Sequence, residues 1–145
     1  MIFIGSDHAG FQMKQHVKVF LTKKGLKWED VGVYQDKTKS DYPDFASEVA
    51  KKTVKNKAKG ILLCGNAVGM VVAANKIKGA RATMAYDKFT AEGSVQDDDT
   101  NILCLRGLKT TPKQQLDVLD MWLNAKFKGL PRYKRRVEKV KKLEG

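Results

Sequence analysis

The segment GILLCGNAVGMVVAANK, residues 60–76, constrains the fold of this chain more than any other part of it. It opens with the apolar run Ile61–Cys64, which is too short for a helix and is bounded by glycines, so it predicts a short buried strand. Small, turn-forming residues follow at 65–69, and apolar residues then recur at helical spacing from Met70 onward. A strand, a glycine-bearing loop and a helix in this order favour anion binding, because the first N–H groups of a helix have no partners of their own.

Cys64 ends the predicted strand, at the position where open α/β sheets bind their ligands. A thiol that faces a helix N-terminus is favoured as its thiolate, which can act as a nucleophile or a base. The alternative is that Cys64 is a small buried apolar residue, as most free cysteines are. Cys104 lies inside the apolar run 102–105 and has no comparable setting, so we predict that it belongs to the core.

The length and the cysteine content limit the class of protein. A chain of 145 residues is enough for one substantial core and too short for two ordinary domains, so we predict a single domain over residues 1–145. No apolar run could span a membrane, and the N-terminal sequence lacks the features of a signal peptide, which favours a cytoplasmic protein. Two cysteines and two histidines give neither a disulfide framework nor zinc-site spacing, so we predict no metal and no cofactor.

The chain is strongly basic, with 28 Lys and Arg against 16 Asp and Glu and a formal net charge of +12. Such an excess attracts anions of every kind, although lysine-rich helix faces exposed to solvent would explain it equally simply. A nucleic-acid partner has little support, because the chain has no zinc-finger spacing, no aromatic RNA-binding signature and no uninterrupted basic arm. A phosphorylated small molecule is the simplest anionic partner.

Short apolar runs and helical patterns alternate along the chain. The predicted strands are at residues 2–5, 28–31, 61–64, 81–85 and 101–105. The predicted helices are at 11–24, at about 41–54 with Ser40 or Asp41 as the cap and Pro43 early in the helix, and at 70–77, 88–96 and 112–123. This alternation predicts an α/β fold, namely a doubly wound, Rossmann-like, five-stranded parallel sheet with helices on both faces. A last helix at 132–143 has only a thin apolar stripe, so we predict that it packs on something beyond its own domain.

The loops that follow the strands carry the candidate functional residues in such a fold. Asp7 and His8 follow the first strand and residues 64–69 end the third, so both sets are predicted at one edge of the sheet. The acidic run 97–99 precedes the fifth strand and is most simply a solvated turn at a helix boundary, since adjacent like charges repel. Tyr42 is either a packing aromatic or a hydroxyl that lines the site.

Five motifs in a fixed order carry a family resemblance. They are GSDHAG at residues 5–10, DYPDFA at 41–46, the segment 60–76, DDTNILCL at 98–105 and RYKRRV at 132–137. On these motifs, which cover nearly the whole chain, the protein resembles the family of ribose-5-phosphate isomerase B and the galactose-6-phosphate isomerase subunits. The resemblance implies a metal-free homodimer, with a tetramer as the alternative, in which each active site is shared between two subunits and the C-terminal helix reaches the partner.

The implied reaction interconverts ribose 5-phosphate and ribulose 5-phosphate through an enediolate. It needs a base that moves a proton between neighbouring carbons and donors that stabilise the enediolate oxygen. By the resemblance, Cys64 is this base, N–H groups of residues 65–69 hold the oxygen, and Asp7 binds a sugar hydroxyl.

The phosphate of the substrate is assigned, again by the resemblance, to His8 together with Arg132 and Arg136 on the C-terminal helix of the partner subunit. This would explain the thin apolar stripe of that helix. The candidate catalytic residues are thus Cys64, Asn66 and Asp97. The candidate substrate-binding residues are Asp7, His8, Tyr42, Gly65, Ala67, Val68, Gly69, Asp98, Arg132 and Arg136.

The chain departs from the family pattern at a few of these positions. Asn66 replaces a Thr or Ser and still offers a donor, whereas Asp97 replaces the histidine that opens the sugar ring, with Asp98 in place of an Asn. Because of Asp97, isomerisation of a hexose 6-phosphate such as that of allose or galactose is an alternative activity. A catalytically silent relative that only binds a sugar phosphate is a second alternative.

Two further departures concern the phosphate site. A phosphate-binding arginine expected after the fifth strand is Leu108 in this chain, with Arg106 and Lys109 nearby as replacements. Tyr133 stands where a histidine usually follows the first clamp arginine, and one residue is inserted around Leu130-Pro131.

Overall fold

The computed structural model describes residues 1–145, and its sheet is entirely parallel. The strands are β1 (Ile2–Ser6), β2 (Trp28–Asp30), β3 (Lys59–Cys64), β4 (Ala82–Met84) and β5 (Ile102–Arg106). They lie in the order β2-β1-β3-β5-β4. All five predicted strands are therefore confirmed. β3 begins earlier than predicted because Lys59 and Gly60 already pair with β1 and β5, although neither residue is large and apolar.

Six helices surround the sheet. They are α1 (Phe11–Lys23), α2 (Tyr42–Lys55), α3 (Val68–Ala74), α4 (Lys88–Asp98), α5 (Pro112–Asn124) and α6 (Pro131–Lys142). Capping boxes at Asp87 and Thr111 explain where α4 and α5 begin. α4 continues past its predicted end, so Asp97 and Asp98 are helical residues rather than part of a turn. No helix combines the length and apolar character needed to cross a membrane.

Each face of the sheet has its own apolar core, because alternate side chains of a strand point to opposite faces. Ile61 and Leu63 pack with α1, α4 and α5 on one face, and Leu62 and Cys64 pack with α2 and α3 on the other. Full burial of each large apolar side chain contributes about 1.5–3 kcal/mol to stability. Helices thus cover both faces, which confirms the prediction of a doubly wound, Rossmann-like sheet.

The chain leaves the neighbouring strands β1 and β3 toward opposite faces. α1 follows β1 onto one face and α3 follows β3 onto the other, although the two strands pair along their whole shared length. The loops after them diverge and leave a crevice at the carboxyl edge of the sheet, where ligands bind in folds of this type. Asp7 and Cys64 stand on the two sides of this crevice.

α6 contacts its own chain more than its sequence predicted. Val137 is buried against the body of the same chain, and the end of α6 is tied down by a bond from the Gly79 N–H to Glu144 at 2.9 Å. Val140 and Leu143 remain 48% and 86% exposed. The apolar stripe of α6 is therefore only partly covered within one chain.

Lys14 lies in α1 with no part of its side chain exposed, and it is held by a buried ion pair. Its Nζ donates to Asp30 Oδ1 at 2.8 Å and to the carbonyl oxygen of Val33. Lys18 binds the other carboxylate oxygen of Asp30 at 2.9 Å. The cluster fastens the loop after β2 to α1.

We expect Lys14→Met to destabilise the fold by at least about 3 kcal/mol, because it leaves the Asp30 carboxylate buried without its closest partner. Urea denaturation of the variant measures this loss. Lys113→Met is the matched control, since the Lys113–Asp117 pair is exposed and should contribute no more than about 1 kcal/mol. Equal losses in the two variants would show that the Lys14 pair has no special role.

The Asp30 carboxylate also predicts a pH dependence of stability. Burial alone would raise its pKa, but hydrogen bonds from Lys14, the Gly32 N–H and Lys18 outweigh burial and hold the pKa below its ordinary value. Because the folded pKa is depressed, the stabilisation is complete above the unfolded pKa of about 4 and is lost as the pH falls through the folded pKa. We expect the urea concentration at the unfolding midpoint to decrease as the pH is lowered below about 4. The decrease should be smaller in the Asp30→Asn variant.

Candidate active site

A pocket of about 460 Å³ opens at the crevice beside β1 and β3, within the usual range of about 300–1,000 Å³ for small-molecule sites. Its lining comes from the carboxyl ends of β1, β3 and β5 and from the starts of α2 and α3. The residues that line it are Asp7, Tyr42, Cys64, Gly65, Asn66, Gly69, Arg106, Leu108 and Lys109. The residues after the first and third strands thus meet at one edge of the sheet, as predicted.

Two glycines allow the loops around the pocket to approach each other closely. A Cβ atom on Gly10 would lie 2.4 Å from the carbonyl oxygen of Leu63, and one on Gly107 would lie 2.2 Å from that of Ala9. Both neighbours are backbone atoms that cannot rotate away. The loop after β1 therefore rests directly on β3 and on the loop after β5.

We expect Gly10→Ala to destabilise the protein by at least about 2 kcal/mol, because β1 and β3 must separate to accept the methyl group. Gly93→Ala is the matched control. Gly93 lies inside α4 with open space around it, so alanine there should stabilise the fold by about 0.5–1 kcal/mol. Thermal denaturation of the two variants measures both effects, and a stable Gly10→Ala variant would contradict the close packing of these loops.

The two cysteines have different surroundings. Cys64 is 4% exposed and borders the pocket, whereas Cys104 is 1% exposed and is enclosed in the core. Burial, and to a lesser extent the nearby Cys64, raises the pKa of the Cys104 thiol well above its ordinary value. The prediction that Cys104 is a core residue is confirmed.

The loop after β3 presents a group of free backbone donors. The N–H groups of residues 65–67, 69 and 70 donate no hydrogen bond within the chain. Ala67 takes a left-handed conformation, with φ 72°, that turns the loop into α3. Val68 differs from the expectation, because its N–H already donates to the side-chain oxygen of Asn66 at 3.1 Å. That bond leaves the Asn66 amide nitrogen free as a further donor.

Asp7 and His8 are both fixed in place by the backbone. Asp7 is buried, and its carboxylate accepts from the Gly10 N–H at 3.0 Å. The His8 ring lies beside the pocket rather than in its lining, and its Nδ1 accepts from the Ser40 N–H at 3.1 Å. In a neutral ring this bond places the proton on Nε2, so His8 offers a donor on its other side.

Tyr42 packs as an aromatic residue and also borders the pocket. Its ring packs on the backbone of Gly69, where an added Cβ would lie 2.7 Å from the ring. The same residue lines the pocket. Gly69 is thus needed for the close approach of α2 to the start of α3.

The remaining predicted residues lie elsewhere in the chain. α4 runs from the carboxyl edge of the sheet back to its amino edge, so Asp97 and Asp98 end far from the Cys64 pocket. Asp98 borders a separate cleft under α6. Neither Arg132 nor Arg136 lines the Cys64 pocket. Within one chain, the structure therefore does not bring these four residues to Cys64.

The residues at this second place interact with each other. Desolvation and the neighbouring Asp97 raise the pKa of Asp98, and Arg136 opposes the shift. The Arg132 and Arg136 guanidinium groups lie 4.6 and 5.9 Å from the centre of the Tyr133 ring. Tyr133, at the position where the family pattern has a histidine, thus holds the two arginines side by side through cation–π contacts.

Sequence reasoning missed Ser40, which is 32 residues from the His8 ring that it orients. Arg106 and Lys109, which the sequence offered only as replacements for a phosphate-binding arginine, both line the pocket. A cation at the end of the fifth strand was the available signal for Arg106. No three His, Cys, Asp or Glu side chains come together as a possible metal site.

The model of the family described as Ribose/Galactose Isomerase matches residues 2–140 of the chain. The chain is 39% identical to the probable ribose-5-phosphate isomerase B of Mycoplasma genitalium, over 99% of this chain and 95% of that protein. It is 34% identical to ribose-5-phosphate isomerase B of Escherichia coli, with the same two coverages.

Solved structures agree with this comparison. The crystal structure of ribose-5-phosphate isomerase B from Mycoplasma genitalium with bound ribulose-5-phosphate superposes with a TM-score of 0.93, at 39% identity and over 99% of this chain and 95% of that one. The structure of the type B ribose 5-phosphate isomerase of Trypanosoma brucei gives a TM-score of 0.93 at 32% identity, over 98% and 97% of the two chains. On its sequence and its fold, the chain belongs to the ribose/galactose isomerase family.

Proposed function

We propose that this protein is an aldose–ketose isomerase that interconverts ribose 5-phosphate and ribulose 5-phosphate, with residues 1–145 acting as a single domain. The observation that carries the proposal is the position of Cys64, a thiol at the edge of a pocket that also holds Asp7 and a group of free N–H donors. These are a base, a hydroxyl ligand and a site for a negatively charged oxygen. Relatives named ribose-5-phosphate isomerase B support the choice of substrate.

In the proposed mechanism, the Cys64 thiolate removes the proton from C2 of the open-chain aldose. The electrons of that C–H bond form a C1–C2 double bond, and the carbonyl electrons move to O1, which gives the enediolate. The thiol then returns the proton to C1, the proton of O2 passes to O1, and the carbonyl re-forms at C2. The reaction needs only proton transfer and stabilisation of charge, so it uses no redox cofactor.

The developing charge on the enediolate oxygen is stabilised by donors that are already in place. The free N–H groups of Gly65, Ala67 and Gly69 and the Asn66 side-chain amide all belong to the loop beside Cys64. Donors fixed before the reaction need no reorganisation, and each can contribute about 3 kcal/mol to the stability of such a transition state. Val68 has the structural role of holding Asn66 through its N–H.

The substrate is oriented by the loop after β1. Asp7 accepts a hydrogen bond from a sugar hydroxyl, since one of its oxygens is held by the Gly10 N–H and the carboxylate borders the pocket. His8 donates from Nε2 to the phosphate, in the orientation set by Ser40.

A second copy of the chain completes each site in this proposal. The clamp arginines and the acidic pair lie far from Cys64 in their own chain, so only another subunit can supply them. Exposed apolar side chains on α3 and between β4 and the start of α4 are suited to bury against that subunit, and α3 packs against β4. They are Val68, Val72, Met84, Tyr86 and Phe89, of which Tyr86 and Phe89 are 78% and 85% exposed.

Through this interface the partner subunit places Arg132 and Arg136 on the phosphate and Asp97 on the ring oxygen of the cyclic sugar. Asp97 then acts as the acid and base of ring opening. The raised pKa of Asp98 keeps a proton on the acidic pair at higher pH than an isolated carboxyl group would.

An isomerase assay on the purified protein tests the proposal, with ribose 5-phosphate, allose 6-phosphate and galactose 6-phosphate compared side by side. We expect turnover of ribose 5-phosphate with the highest kcat/KM of the three. Turnover of a hexose phosphate alone would replace the proposed substrate and leave the reaction class standing. Binding of all three sugars without turnover would overturn the proposal and identify a silent sugar-phosphate-binding relative.

A further inference from the structure

A second cleft lies at the amino edge of the sheet, at the other end of the strands from the Cys64 pocket. This amino-edge cleft is lined by residues 53–54, 57–59, 79, 81, 99–101 and 141. They belong to the end of α2, the start of β3, the segments just before β4 and β5, and α6. Its volume of about 480 Å³ is similar to that of the Cys64 pocket. The two cavities share no lining residue, so the proposed isomerase reaction gives this cleft no role.

Positive charge predominates in the amino-edge cleft. The charged side chains that line it are Lys57, Lys59, Arg81, Lys141 and a single carboxylate, Asp99. Arg81 pairs with Asp99 at 3.1 Å. Lys141 pairs with Glu138, on its own helix, at 3.1 Å. Lys57 and Lys59 form no ion pair with any carboxylate of the chain, so their charges are not neutralised within it.

Lys59 is half-buried at the start of β3 and has no hydrogen-bond partner. Its ammonium group lies 4.8 Å from the centre of the Trp122 ring, and the Trp122 side chain is fully buried. Burial lowers the pKa of Lys59 below its ordinary value, and the negative charge of Asp99 offsets this effect only in part. Because a desolvated ammonium group has lost part of its hydration, an anion beside it would favour its charged form.

A buried hydroxyl group at the same cleft also lacks a partner. Thr53 lines the cleft and is fully buried, and its Oγ1 atom makes no hydrogen bond within the chain. This atom lies beside β3, since a Cβ added to Gly60 would be 2.6 Å from it. Most buried hydroxyl groups have a hydrogen-bond partner. A ligand with oxygen acceptors would supply the partner that Thr53 lacks.

The helix ends beside the cleft explain these cations only in part. α2 and α4 both end there, and helix C-termini favour cations. However, carbonyl groups at the end of α2 already accept from the N–H groups of residues 56–58, and the Asp99 carbonyl accepts from Arg81 Nε at 2.8 Å. The ammonium group of Lys59 lies over Trp122 and donates to no carbonyl oxygen. Lys59 therefore does not cap a helix.

We propose that the amino-edge cleft binds a phosphate group, with Lys57 and Lys59 as its cationic ligands and the Thr53 hydroxyl as a hydrogen-bond donor. Two ammonium groups balance the charge of a phosphate dianion, whose oxygen atoms accept hydrogen bonds from all three side chains. The ligand is a phosphate ester or free phosphate, since both carry this group and the cleft has room for either. Because the cleft is separate from the Cys64 pocket, this site does not compete with the substrate.

The pKa of Lys59 provides a readout that belongs to this cleft. In protein with ¹³C-labelled lysine, the Cε signal of Lys59 is followed by NMR as the pH is varied, and it is identified by its absence in Lys59→Arg. We expect about 20 mM inorganic phosphate to raise the pKa of Lys59 by at least about 0.5, relative to sodium chloride at the same ionic strength. No difference between phosphate and chloride would overturn the proposal, because it would leave only general screening of charge.

Variants test the residues of the site by the same titration, with the phosphate concentration at half of the full effect as the measure of affinity. We expect Lys57→Gln and Thr53→Val to weaken phosphate binding about 3- to 10-fold each, through the loss of a charge and of a hydrogen bond. Lys55→Gln is the matched control, because Lys55 is exposed near Lys57 and does not line the cleft. It should change the affinity less than about twofold. Equal losses in Lys55→Gln and Lys57→Gln would overturn the proposal, since the ion would then follow the overall charge of this surface.

The source of the phosphate group is determined by comparing inorganic phosphate with glycerol 3-phosphate and adenosine 5′-monophosphate. Tighter binding of an ester would identify an esterified phosphate as the ligand, whereas equal or tighter binding of the inorganic ion would identify free phosphate. Both results support the site. The test is independent of the proposed isomerase function, because the Lys59 signal reports on the cleft whether or not the protein turns over a sugar. A Lys59 signal that responds to none of the three anions more than to chloride would overturn the proposal.

Discussion

We expect the Cys64→Ala variant to lose at least about 10³-fold in kcat for ribose 5-phosphate, because no other group in the pocket can carry the proton from C2 to C1. Asp7 is the only carboxylate in the lining, and one of its oxygens is already held by the Gly10 N–H. Binding should survive the change, since the proposed hydroxyl and phosphate ligands remain. Calorimetry with ribitol 5-phosphate, which has no carbonyl group and cannot isomerise, measures binding independently of turnover.

Cys104→Ala is the matched control for this experiment. It makes the same substitution on the neighbouring strand β5, where the cysteine side chain is enclosed by apolar residues. We expect a stability loss of about 1–2 kcal/mol and a kcat within about threefold of wild type. Full activity in Cys64→Ala, or equal kinetic losses in the two variants, would rule out Cys64 as the proton-transferring base.

The second large effect is expected from mixing two inactive proteins. In the proposed homodimer, Arg136→Ala removes the proposed phosphate clamp and Cys64→Ala removes the proposed base, so each homodimer should be almost inactive. A mixed dimer contains one site in which an intact Cys64 meets an intact Arg136 from the partner subunit. If the subunits exchange freely, half of the dimers are mixed and each has one working site of two, which restores about a quarter of wild-type activity.

The mixing experiment has a control on the same helix. Lys134 lies on the opposite side of α6 from Arg132 and Arg136, since positions two apart on a helix differ by about 200°. Lys134→Ala should therefore be active without any mixing. No recovery in the mixture of Cys64→Ala and Arg136→Ala, under conditions where subunit exchange is demonstrated, would contradict the shared site.

The local sequence pattern was sufficient to predict the strands of the sheet and the position of Cys64. The run Ile61–Cys64 between glycines identified β3, because four apolar residues between glycines are too few for a helix and are typical of a short buried strand. The place of Cys64 at the end of that run then positioned it at the carboxyl edge of the sheet, where the structure has the pocket. The separation of Cys104 from this edge could be predicted in the same way, from its place inside a strand.

Features that depend on contacts between distant segments could not be predicted. Nothing near His8 in the sequence indicates that Ser40 orients its ring. The bond from the Val68 N–H to Asn66 depends on the left-handed conformation of Ala67, which a sequence of small residues does not specify. The separation of Asp97 from Cys64, by contrast, already follows from the predicted parallel sheet, because residues that directly precede β5 lie at the amino edge and Cys64 lies at the carboxyl edge.

The separation of Cys64 from α6 within each chain has a consequence for how the protein would behave in solution. If neither chain holds a whole site, only the associated form of the protein is active, so the activity depends on the self-association equilibrium. Specific activity would then fall on dilution as dimers dissociate, and substrate, by touching both subunits, would shift that equilibrium toward the dimer. Protein concentration would thus act as a control on the enzyme without any separate regulatory site.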